Sequence, residues 1–306
     1  MWPSRKLTAD RLERALEHFS TDRIPLLGVV DLTARRTLAL QMVASLRRLD
    51  YTHILLSRTF DSNGANPNSS MFDPERAAII HARAGNLDEA IWVIFLATHF
   101  GKHARHGWRM LKDVYSGLSD TPWTWVRIQN DPELFRTWLR DHVGQIGGSF
   151  GNHRKYETLG ADSVQGTANV FASYVGWINT FGSHAHLIRS LVTKGGNDPH
   201  NIFDVFYNEM NILRFGRLGK FDFLALIGRL KLAPITPGSP YLKGATGPLR
   251  GSRLLFAGDP EIALSPEKLE ENLKYLDQDL NVGMQVLEDS LCNWQKSPEH
   301  FIHFRG

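Results

Sequence analysis

One cysteine in 306 residues, Cys292, leaves no partner for an internal disulfide and too few thiolates for a cysteine-based zinc cluster. Such sparing use of thiols suits a reducing compartment, so the expected location is the cytoplasm. No apolar run approaches the ~20 residues of a bilayer span, and the opening MWPSRK has no signal-peptide core. The expectation is therefore a soluble protein without a membrane partner. Three loops that announce common chemistry are also missing: GxxxxGK[S/T], GxGxxG after a strand, and HExxH. His99, His103 and His106 recur at short spacing with no supporting acid, so neither a metal nor a cofactor is expected. Long alternating apolar–polar runs are lacking too, as are heptads and repeats, and the expected fold is mainly α.

What is present is an ordinary globular composition, 42% hydrophobic and 22% charged, with a formal net charge of only +3. The charge is unevenly spread. Residues 214–253 hold eight Lys/Arg and a single acid, Asp222, whereas residues 259–279 hold seven acids and two lysines. This polarity predicts one face for an anionic partner and another that avoids it.

Helical periodicity sets the organisation. Residues 8–19 read as an amphipathic helix with Thr8 as N-cap, and residues 34–49 as a second. Residues 55–73 read as a polar loop, with Asp73 capping a helix that starts at Pro74. Residues 88–100 read as a buried helix. Further helices are expected over 132–143, 165–181, 184–194, 204–215 and 221–230. The glycine-rich stretch 144–151 is the best junction. It divides an N-terminal helical region, 1–143, from a region 144–306, the two forming one compact unit.

Three constellations could carry chemistry. The segment LKGATGPLRGSRLLF, residues 242–256, reads as a glycine hairpin feeding a helix. Backbone N–H groups at such a turn, with a helix N-terminus behind them, form an anion seat. Lys243, Gly244, Ala245, Thr246, Gly247, Arg250, Gly251 and Arg253 compose it, and Arg217, Lys220 and Arg154 are further phosphate candidates. With the apolar helix before it, the segment looks like a helix-hairpin-helix unit that grips DNA. A second constellation is NHRKYE, residues 152–157. Its Asn152, His153, Lys155 and Tyr156 suit a base edge or face, and Trp108, Trp123 and Trp125 could wall a pocket for an extruded base. The third is the helix over 281–296. At ~100° per residue, Val286, Leu287, Leu291 and Trp294 share one side. Gln285, Asp289, Cys292 and Lys296 share the other, with Glu288 adjacent. A carboxylate there could stabilise a developing cation or activate water. Asp279, just upstream, stands at the expected N-cap of this helix.

Together the stretches FLATHFGK (95–102), NHRKYE (152–157), FGRLGKFD (215–222), the hairpin and LEDSLCNWQK (287–296) make the chain similar to the alpha-glutamyl/putrescinyl thymine pyrophosphorylase family. The resemblance runs from about Phe72 to the C-terminus. It implies a helix-hairpin-helix DNA glycosylase-like helical fold and work on hypermodified phage DNA. The implied activity is that of an antiphage glycosylase, which excises a base such as glucosylated hydroxymethylcytosine from duplex DNA and leaves an abasic site. A transferase that displaces pyrophosphate from a modified thymine with an amine is the alternative, and a non-catalytic binder of modified DNA a third. A monomer is expected. In the related glycosylases an Asp opens the helix after the hairpin. Asp279 resembles it, but it lies 32 residues beyond Gly247. The acidic stretch 259–277 would then loop out, and Glu288 and Asp289 stand as rivals.

Overall fold

The computed structural model describes residues 2–303. The protein is 64% helical and has no strands among the described residues, so it is mainly α. The helices are α1 (Lys6–Asp22), α2 (Leu32–Ser57), α3 (Pro74–Arg83), α4 (Leu87–Phe100), α5 (Arg109–Tyr115), α6 (Trp125–Asn130), α7 (Pro132–His142), α8 (Thr167–Asn179), α9 (His184–Gly195), α10 (Pro199–Glu209), α11 (Arg217–Arg229), α12 (Gly247–Ala257), α13 (Pro266–Leu280) and α14 (Met284–Trp294). No helix among the described residues is long and apolar enough to cross a membrane.

The chain forms two compact units. One gathers residues 2–53 and 237–303, the other residues 54–236. The glycine-rich stretch 144–151 lies inside the second. The two arms expected of the helix-hairpin-helix, α11 and α12, fall one in each unit.

In the first unit, α13 buries Leu269, Leu273, Leu276 and Leu280 in one core with Leu12, Leu16 and Phe19 of α1. The acidic stretch expected to loop out is therefore mostly helix. Ser265 accepts from the Lys268 N–H and Pro266 opens the first turn. The i, i+4, i+7 leucines then leave Glu267 and Glu271 exposed on the opposite side. In α14, Val286, Leu287, Leu291 and Trp294 are buried as the periodicity predicts, and the Trp294 indole donates to the Ala34 carbonyl at 3.1 Å. α12 lies against α14 through two glycines. A Cβ on Gly251 would stand 2.3 Å from the Leu291 carbonyl oxygen, and one on Gly247 would stand 2.5 Å from Cys292 Sγ. No larger residue fits at Gly251 without parting the helices.

The second unit is built around α4, buried from Glu89 to Phe100. Phe95 stacks on Tyr174 at 3.8 Å and on Phe215 at 4.9 Å. Two acids at the start of α4 are structural. Glu89, 4% exposed, accepts from the Tyr115 hydroxyl at 2.5 Å and the Trp125 N–H at 2.7 Å, so one carboxyl ties α4 to α5 and α6. Asp88 accepts from the backbone N–H and the ring Nδ1 of His184, whose Nε2 meets the Tyr174 hydroxyl at 2.6 Å.

Several boundaries differ from expectation, each for a local reason. α1 starts before Thr8, which lies inside its first turn. α2 starts at an Asp31 cap, whose Oδ1 accepts from Thr33 and Ala34, and runs on to Ser57 with Leu55 buried. The polar loop is correspondingly shorter. The helix expected over 204–215 is instead Pro199–Glu209, capped by Asp198. It stops well short of Arg214, whose φ of 64° is not helical. Asp73 caps α3 as expected, accepting from Glu75 and Arg76.

Candidate functional site

The hairpin in the first unit is a turn closed by the Ala245 N–H on the Leu242 carbonyl at 2.9 Å. Gly244 holds it at φ 76°, a left-handed value that glycine adopts without strain. Glu270 of α13 fixes the approach, accepting from Ser239 Oγ at 2.5 Å and the Leu242 N–H at 2.6 Å. α12 follows with Pro248 in its first turn and no side-chain cap from Thr246. Its N-terminal dipole therefore faces outward with exposed Lys243, Gly244 and Thr246 beside it, while Ala245 is buried. The other two cations are partly committed: Arg250 pairs with Glu261, and Arg253 reaches the Leu264 carbonyl at 3.4 Å.

α14 lies directly under this turn, where Gly247 meets Cys292. Glu288 and Asp289 sit one turn back from Cys292 along the same helix. Asp289 is half-buried. One carboxylate oxygen pairs with Arg48 of α2 and the other accepts from Asn293 Nδ2 at 3.0 Å. Lys296 continues the chain, donating to Asn293 Oδ1 at 3.1 Å. The result is a carboxylate fixed on the polar face of α14, with Gln285 half-buried on the same helix. Glu288 is deeper, 8% exposed. Asp279 is not the cap of α14. It sits in the last turn of α13 and pairs with Arg23 at 3.1 Å. No side chain caps α14; Asp277 instead holds the turn before it, accepting from the Val282 and Gly283 N–H groups at 2.9 and 3.0 Å. Asn281 and Gly283, both at positive φ, turn the chain between the two helices.

The Asn152–Glu157 segment belongs to the second unit. Asn152, His153, Lys155 and Tyr156 are exposed. Tyr156 is 79% exposed, with Lys155 Nζ over its ring, 5.1 Å from the centroid. Arg154 points inward and is buried. Arg214 binds Glu157 through two bonds of 3.0 and 3.1 Å. Lys220 donates to the Tyr207 carbonyl at 3.2 Å, and burial lowers its pKa. Arg217 is half-buried in the first turn of α11.

The tryptophans separate. Trp123 and Trp125 are 0% and 2% exposed and pack in the core of the second unit against Phe135 and His184. Trp108 is half-buried, its indole N–H sealed from solvent without a partner and Lys102 Nζ 5.9 Å from its ring. His99 is in the aromatic core, its Nε2 3.0 Å from the Thr167 hydroxyl, whereas His103 and His106 stack on each other in the following turn.

Arg48, Asp277 and Glu270 escape sequence reasoning. For Asp277 a signal existed, since an acid shortly before an Asn–x–Gly turn is placed to accept its N–H groups. Nothing local marks Arg48, which lies 241 residues from its partner.

No curated protein and no solved structure matches the chain. A sequence profile described as alpha-glutamyl/putrescinyl thymine pyrophosphorylase clade 3 matches residues 33–306, which extends the resemblance back through α2 and Arg48. The chain belongs to the alpha-glutamyl/putrescinyl thymine pyrophosphorylase family, in its clade 3.

Proposed function

We propose that the protein is a DNA glycosylase that removes a hypermodified base, such as glucosylated hydroxymethylcytosine, from phage duplex DNA and leaves an abasic site, as an antiphage defence in the cytoplasm. The observation that carries this reading is the polar face of α14. It holds a carboxylate, fixed by Arg48 and Asn293, on the helix that packs under an uncapped, basic helix start. In this reading the start of α12 with Lys243 takes a backbone phosphate and sets the register of the duplex. The N-glycosidic bond then breaks with its electron pair leaving on the base. Asp289 stabilises the oxocarbenium-like charge at the sugar, and water adds at the same carbon with loss of a proton. Tyr156 offers a stacking surface for a base in the second unit.

The experiment is mass spectrometry of small molecules released when the purified protein meets phage DNA carrying the modified base. The expected result is the free modified base and an alkali-labile site in the strand. An intact strand carrying a new amine adduct, with no base released, would establish the transferase instead, and binding without product would establish a binder.

A separate measurement addresses the grip on DNA. Lys243→Ala combined with Arg250→Ala is expected to weaken binding of all duplex sequences alike and to flatten the dependence of affinity on salt. Each phosphate that a removed cation would have neutralised keeps its condensed counterion, so about one fewer is released on binding. Unchanged affinity and slope would remove the hairpin from the interface.

A further inference from the structure

Arg154 is 6% exposed, and its Nη2 is sealed from solvent without a hydrogen-bond partner. Taking a guanidinium out of water is expensive unless its donors are paired. The turn that carries it is firmly placed, since the Gly151 N–H donates to the Phe100 carbonyl at 2.7 Å and pins residues 152–154 to the end of α4. The guanidinium lies over the Phe215 ring, 5.1 Å from its centroid, and against the first turn of α11. A Cβ on Gly219 would stand 2.9 Å from Nη2 and 3.0 Å from Nη1. Glycine at this position makes the room that the guanidinium occupies.

Burial disfavours the charged form of the guanidinium more than any neighbouring charge does, and lowers its pKa. Asp222 and then Glu157 favour the charged guanidinium, and both oxygens of Glu157 are already bonded to Arg214. Arg214 itself opposes the charge on Arg154. α11 adds the positive end of its dipole, which no side chain caps. An unpaired guanidinium donor thus lies against an uncapped helix start, and an oxyanion between them would be attracted by both.

We propose that Arg154 and the first turn of α11 form a seat for a phosphoryl oxyanion, supplied by a diphosphate-bearing ligand or by a DNA backbone phosphate. The exposed residues Gly216, His153 and Lys155 flank it on the chain. The seat lies in the unit that does not contain Asp289, and it stands whichever reaction the protein performs.

The test is calorimetric titration of the full chain with inorganic pyrophosphate and, separately, with an unmodified DNA duplex. The seat predicts that Arg154→Gln weakens at least one probe by about tenfold or more, the effect of losing a charge-assisted bond. Gly219→Ala is expected to act in the same direction, because its methyl displaces the guanidinium while every charge is kept. An effect on pyrophosphate assigns the seat to a diphosphate; an effect on duplex alone assigns it to the backbone. If both variants fold and bind both probes as tightly as the wild type, Arg154 is only a packed core cation and the proposal fails. Should Arg154→Gln not fold, Gly219→Ala and Arg154→Lys decide in the same way, since lysine retains charge but loses the planar fork.

Discussion

Asp289→Asn is expected to lower base release by about 10²–10⁴-fold, the range for loss of one positioned catalytic group, while duplex affinity changes little. The amide keeps the shape and the bond to Asn293 but removes the charge that would stabilise the sugar cation. Folding should survive, because Arg48 is 41% exposed and water can take over its solvation. Two companion variants make the result specific. Glu288→Gln probes the deeper carboxylate of the same helix. Asp279→Asn probes the position that matches the related glycosylases, which here pairs with Arg23. If Asp289→Asn and Glu288→Gln both release base at near-normal rates while Asp279→Asn abolishes release, the catalytic carboxylate is Asp279 and the α14 assignment is wrong.

The second large effect is on stability. His99 is buried in the aromatic core beside Arg154 and Arg214, and burial followed by those two cations lowers its pKa to about 3. The native state therefore holds it neutral while the unfolded chain protonates it near pH 6.5. Above that pH the residue contributes no pH dependence. As the pH falls from 6.5 toward 3 the unfolded state takes up a proton that the folded state refuses, and stability drops by on the order of a few kcal/mol. His184, its pKa also lowered by burial, acts in the same direction. Glu75 and Glu89, raised by burial, act oppositely, because they gain their protons more readily in the folded state. The informative quantity is thus the difference between wild type and His99→Gln in denaturant unfolding at pH 7 and pH 4.5. The glutamine can still donate to Thr167 but does not titrate. The gap between the two proteins should shift by at least a large part of that amount in favour of the variant at the lower pH. Parallel curves would mean that His99 is charged or hydrated in the native protein.

The parts of this molecule visible in its sequence are those governed by neighbours along the chain. The α4 core helix, the Asp73–Pro74 start of α3 and both sides of α14 follow from residues within two turns of each other. The exposed glycine turn before α12 was legible for the same reason, since Gly244 needs its left-handed φ whatever surrounds it. The errors arose where a strong local impression hid a competing one. The acids of residues 259–277 suggested an exposed loop, although the leucines between them carry α13 into a core. Asp279 suggested a cap, although Asp277 reaches the turn. What no local pattern contains is pairing across the chain. Arg48 becomes part of the candidate site only when α2 is laid beside α14. Arg154 becomes a buried cation only when Gly219 opens a space for it.

The lone thiol has a use of its own. Cys292 is half-buried on α14 and faces the first residue of α12 across a gap that only a hydrogen atom fills. Any change that lifts the start of α12 from α14 alters the reach of a reagent to that sulfur. With no second cysteine in the chain, alkylation at a single atom becomes a chemical clock for the seam beneath the proposed phosphate seat of the hairpin. It can be read by intact mass, without introducing a label or changing a residue.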